Sequence, residues 1–132
     1  MSTSVTYSGP AQPEVVAWLS AAFPQLPQAY LAFFSQFNGA EGPLGVEPGW
    51  FVVWSAEEAL VASDEYEVPK YLPGYFAFGS NGSGELLVFR LVGPGESQVF
   101  MVPAIGMAEP ELLSVASSFA EFTGQMGKVI AP

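Results

Sequence analysis

The side chains that could do chemistry in this chain are carboxylates. Glu57 and Glu58 are adjacent, and Asp64, Glu65 and Glu67 follow closely. Two carboxylates can share acid–base work when they face each other across a reacting bond. Neighbouring residues on a helix point about 100° apart, so Glu57 and Glu58 cannot grip one atom together. Asp64, Glu65 and Glu67 lack the alternating acids, central glycine and terminal Glu of a calcium loop. The chain has no Cys and no His, which removes thiol chemistry, disulfides, the usual zinc ligands and the commonest general base. The run Gly79-Ser80-Asn81-Gly82-Ser83-Gly84 invites comparison with a phosphate cradle. It lacks the P-loop lysine and the GxGxxG spacing, and a strand rather than a helix is expected after it. It reads as a hairpin loop. Asn81-Gly82-Ser83 fits the glycosylation triplet, but without a secretory signal the match carries no weight. The residues therefore predict no catalytic centre, no metal and no cofactor.

Recognition is the chemistry left. Thirteen acids face three bases, Lys70, Arg90 and Lys128, for a formal net charge of −10. Such a chain is repelled by nucleic acid and by anionic membranes and attracts a basic protein. Acidity by itself equally serves solubility. Only 12% of residues are charged, about half of the roughly 25% usual in soluble domains. The surface must therefore rely on Ser, Gln, Gly, Pro and backbone or leave apolar area exposed, which would suit a partner or self-association; a monomer or a homodimer is expected. Trp50, Tyr66, Tyr71 and Tyr75 flank the acidic segments. Aromatic rings beside acids suit a protein-binding rim, although rings of this kind can also simply cover a sheet. The candidate partner-contacting residues are Glu41, Glu47, Trp50, Glu57, Asp64, Glu65, Tyr66 and Glu67.

The elements that must carry them follow from spacing. At 132 residues, half of them hydrophobic, the chain suits one ordered domain. Residues 1–10 read as a flexible lead-in and 11–132 as the domain. Val15, Trp18, Leu19, Ala22 and Phe23 recur at helical spacing, opened by Pro13 and stopped by Pro24. Pro27 opens a second helix, with Tyr30, Phe33, Phe34 and Phe37 along one stripe and Asn38-Gly39 as its stop. That stripe reads as core. A short strand is expected near residues 44–47 and another over 51–54. Ser55 and Glu58 form a capping box for a helix through about residue 63. Residues 64–74 read as a connection, and strands are expected over 75–78, 85–91 and 98–102, with a turn at 93–96. A last helix is expected from residue 109 to 126. This order predicts an α+β fold: a mainly antiparallel sheet of about four to six strands covered by N-terminal and C-terminal helices. The start of the chain has no basic region followed by an apolar run, and no apolar run is long enough to cross a membrane. A cytoplasmic location is expected.

Several of these features together resemble the SUKH superfamily. They are Leu26-Pro27 followed by Tyr30 and Phe33 or Phe34, then Asn38-Gly39, then Trp54 before the acidic capping box. Later come Phe78-Gly79, Asn81, Gly82, Gly84 and Glu85, and a C-terminal Ser118-Phe119-Ala120-Glu121-Phe122. The superfamily includes a yeast regulator of cell-wall synthesis and many bacterial immunity proteins. The resemblance implies a scaffold rather than an active site. It implies a non-enzymatic protein that binds and neutralises a cognate toxin, often a nuclease, or alternatively a regulatory interaction module without a toxin partner. One departure is Phe89-Arg90, where many relatives carry an acid near the strand's end.

Overall fold

Buried side chains alternate on both faces of one antiparallel meander. The computed structural model describes residues 4–92 and 98–130; the turn expected at 93–96 lies outside them. Seven strands lie side by side in chain order: β1 (Thr6–Tyr7), β2 (Ala40–Pro43), β3 (Trp50–Val53), β4 (Tyr75–Ser80), β5 (Glu85–Arg90), β6 (Val99–Pro103) and β7 (Leu113–Ala116). The fold is α+β, with more strands than expected. Phe76 and Phe78, Leu87 and Phe89, and Val99 and Met101 point to one face. Tyr75 and Ala77, Leu86 and Val88, and Phe100 and Val102 point to the other. Both faces are covered, which is why β5 and β6 read as continuous apolar runs.

On the first face lie α1 (Pro13–Ala22), α2 (Gln28–Phe33) and α5 (Phe119–Gly124). Pro13 opens α1 and Glu14 sits at its positive end, while Val15 and Leu19 are buried. Tyr30 on α2 is the hub of the core. Its ring meets those of Phe34, Phe76, Phe78, Phe89 and Phe119 edge-on at 5.0 to 6.1 Å. Such pairs contribute about 0.5–1.5 kcal/mol each beyond area burial. The Tyr30 hydroxyl is fully buried, has no hydrogen-bond partner among the described residues, and burial pushes its phenol far above the ordinary value. The second face is covered by α4 (Val68–Tyr71) through Val68 and Leu72, by Met107, and by the flank of Trp54.

Four elements differ from expectation. The lead-in is not wholly loose: Thr6 and Tyr7 pair with Glu41 and Ala40, and Ser8 N–H donates to the Gly39 carbonyl at 3.1 Å. The strand expected at 44–47 lies earlier, at Ala40–Pro43, and Leu44 keeps only an isolated bridge to Met126. The connection at 64–74 contains α4, where Pro69 suits the first turn of a short helix. The helix expected over 109–126 is three pieces: a 3-10 turn at Glu109–Glu111, strand β7, and α5. Leu113, Ser114 and Ala116 pair with Met101, Phe100 and Val99 along the edge of β6, and Ser118 restarts the helix by accepting from Glu121 N–H at 3.0 Å.

The glycine-rich run is a hairpin between β4 and β5. Asn81 sets it: its Oδ1 accepts from Ser83 N–H at 3.0 Å and Glu85 N–H at 3.2 Å, and its Nδ2 donates to Glu85 at 2.7 Å.

Candidate functional site

The densest group of candidate residues lies on α3 (Ala56–Glu65). Ser55 caps this helix: its Oγ accepts from Glu58 N–H at 3.1 Å, and Glu58 Oε1 accepts from Ser55 N–H at 3.0 Å. A second side chain holds the same end from outside the helix. Asn38 Oδ1 accepts from Ala56 N–H at 2.8 Å, and Asn38 Nδ2 donates to Glu57 Oε1 at 3.0 Å. The Asn38 amide, followed by a backbone hydrogen bond, holds the Glu57 carboxyl below the ordinary carboxylate value. Gly39 follows with φ 110°, and a Cβ there would sit 2.9 Å from the Val53 carbonyl. Asn38-Gly39 therefore fixes the start of α3 more directly than it stops α2, which ends earlier, at Phe33.

Ala56, Ala59, Ala62 and Ser63 are the buried residues of α3. Glu57, Glu58, Val61, Asp64 and Glu65 face solvent. The last turn carries two acids and no base. Acids at a helix C-terminus meet the negative end of its dipole, an arrangement disfavoured by about 0.3–1 kcal/mol per group. Stability does not call for Asp64 and Glu65 there. Their effect is to concentrate negative potential on one outward face.

Two adjoining depressions share Glu58. The smaller, about 160 Å³, lies between β1, β2, β3 and the start of α3, with Glu41 and Glu58 among its walls. The larger, about 260 Å³, is lined by Trp54, Glu58, Val61, Ala62, Glu65 and Tyr66. In it the Trp54 and Tyr66 rings are parallel within 3°, with centroids 5.8 Å apart.

The structure gathers part of the candidate set and disperses the rest. Glu41, Glu65 and Tyr66 line the depressions. Trp50 joins them at one rim, since its Nε1–H donates to Glu41 Oε2 at 3.3 Å and its ring rests beside Gly82. Glu57 and Asp64 lie on the same outward face of α3 but in neither wall. Glu47 is apart, in the β2–β3 loop, in neither depression. Glu67 also lines neither; it adopts φ 55° and pairs with Lys70 at 3.8 Å. Tyr75 leaves the rim: it is buried in the sheet, and Arg90 Nε–H donates to its hydroxyl at 3.1 Å. Glu58, Trp54 and Val61 were missed as surface residues. Glu58 has a complete structural explanation as a cap, yet capping uses its Oε1 and leaves the side chain in both walls. The period of α3 was the signal: residues 58, 61 and 65 share one face.

This face is suited to receiving positive charge. Glu58 and Glu65 are two turns apart, about 10 Å along the axis, too far to act on one bond. Among the described residues no group of three or more acids is placed to hold a metal ion, and no helix is long and apolar enough to cross a membrane. Compared with known proteins, residues 10–125 match the pattern of the SMI1 / KNR4 family (SUKH-1). No curated protein matches the chain.

Proposed function

The chain belongs to the SMI1 / KNR4 family (SUKH-1), and from that premise we propose that it acts by binding rather than by catalysis. Its role is that of a bacterial immunity protein: it occupies a basic toxin domain, such as a nuclease, in the cytoplasm and blocks the toxin's own binding groove. The observation that carries this reading is the set of exposed acids on α3, Glu57, Glu58, Asp64 and Glu65, with Glu41 lining the same depression as Glu58. No Lys or Arg lines either of its depressions. The bases stand elsewhere: Lys70 on Glu67, Arg90 above the Phe100 ring, and Lys128 beside Gly45. A net charge of −10 extends the attraction beyond contact, raising the encounter rate with a basic partner and lowering it with nucleic acid. A toxin groove built to bind phosphates would then be covered by carboxylates that imitate them.

The test is co-expression with the toxin domain encoded by the neighbouring gene. Restored growth together with a stable purified complex supports the reading. Unrelieved toxicity, with an endogenous signalling or cell-wall protein recovered on the chain instead, replaces it with the regulatory role.

A further inference from the structure

We infer that the groove walled by Trp54, Glu58, Val61, Glu65 and Tyr66 receives one arginine side chain from the partner. This rests on the protein-binding reading above and names what enters the acidic face. The groove, about 260 Å³, lies below the roughly 300–1,000 Å³ of small-molecule sites, a size fitting one long side chain rather than a whole ligand. Its walls combine the three things a guanidinium uses. Trp54 and Tyr66 stand parallel and present aromatic surface, on which a planar cation stacks. Val61 is exposed beside them and offers apolar contact to the stem. Glu65 supplies a carboxylate with no hydrogen-bond or ion-pair partner among the described residues, at the negative end of the α3 dipole. Glu58 closes the other end with the carboxylate oxygen that does not cap the helix.

Lysine fits less well. Its ammonium is a compact, strongly hydrated point charge without a plane to stack. A second copy of the chain fits poorly too. Its one arginine, Arg90, is already hydrogen-bonded to Tyr75 and lies 5.4 Å from the centre of the Phe100 ring. The occupant is therefore an arginine of a different, basic protein.

The test needs no toxin. The tryptophan indole N–H signals of the whole chain are followed by NMR at constant ionic strength, and Trp54 is identified with Trp18→Phe and Trp50→Phe variants. Three probes are titrated: N-acetyl-arginine methylamide, its lysine counterpart, and its citrulline counterpart, which keeps the shape and loses the charge. Arginine is expected to move the Trp54 signal saturably while Trp18 and Trp50 stay still. Lysine binds more weakly, and citrulline leaves Trp54 unmoved. Glu65→Gln lowers arginine affinity about two- to fivefold, the range of an exposed ion pair. Tyr66→Phe keeps binding and Tyr66→Leu loses it. If Tyr66→Leu fails to fold, Glu65→Gln at its exposed position decides. Citrulline matching arginine, a silent Trp54, or an unchanged Glu65→Gln overturns the inference. Toxin rescue with a silent Trp54 removes the arginine seat and leaves the immunity reading. A responsive Trp54 without rescue supports the seat and removes the toxin.

Discussion

Asn38 joins two elements with one amide. It bonds the first backbone N–H of α3 and the Glu57 carboxylate, so the acidic helix is anchored to the segment that joins α2 to β2. Glu57 then carries a pH signature. Its folded pKa is depressed below the reference 4.5, so its contribution is fully present above that value and is lost as pH falls through the folded one. Wild type is expected to be more stable than Glu57→Gln at neutral pH by under about 1 kcal/mol, the scale of an exposed carboxylate at a helix N-terminus. Thermal melts across pH should show that gap close only in acid below 4.5. Asn38→Ala should move the Glu57 titration upward in an NMR pH series. Glu67 offers a different check. It holds φ 55° at the start of α4, where its carbonyl accepts from Lys70 and Tyr71 N–H, and its side chain has an exposed pair to Lys70. The left-handed region costs a residue with a Cβ about 1–2 kcal/mol, and Asn tolerates it better. Glu67→Asn is expected to raise stability by up to about 1 kcal/mol in urea melts, after loss of the weak ion pair.

The two glycines that frame the β4–β5 hairpin look alike in the sequence and differ in the fold. A Cβ on Gly79 would collide with the Val52 carbonyl, where β4 meets β3 through Val53↔Gly79. A Cβ on Gly84 would meet nothing within 4 Å. Gly79→Ala is expected to cost about 3 kcal/mol, at the upper end for overpacking. Gly84→Ala should stay within about 0.5 kcal/mol of wild type. Equilibrium denaturation of both checks the contrast. Pro13, Pro27 and the Ser55–Glu58 box are local signals, and the helix starts they announce are where they were expected. The C-terminal segment misled because Leu112, Val115, Phe119 and Phe122 fit a helical period locally, while residues 113–116 are claimed by pairing with β6. Non-local pairing overrides local period, and nothing near those residues announces it. The candidate face was legible in composition but not in extent. Trp54 and Glu58 each have a local or packing role that conceals their second, outward one.

At the scale of the molecule, the fold separates what holds it together from what it presents. The aromatic residues Tyr30, Phe34 and Phe78 are fully buried, while five of the thirteen acids, Glu41, Glu57, Glu58, Asp64 and Glu65, are exposed on α3 and the neighbouring rim of β2. That division is expected of a scaffold whose partner changes while its core does not. If this face binds a basic protein through its charge, the affinity must depend on salt and on these carboxylates. The most direct measurement is the affinity for the proposed basic toxin partner, taken by calorimetry from about 50 to about 200 mM salt, for wild type and for a Glu41→Lys, Asp64→Lys, Glu65→Lys variant. Affinity is expected to fall steadily with salt, and the variant to bind at least about tenfold more weakly at the low-salt end. Affinity that ignores salt, or a charge-reversed variant that binds as wild type does, would contradict binding through charge.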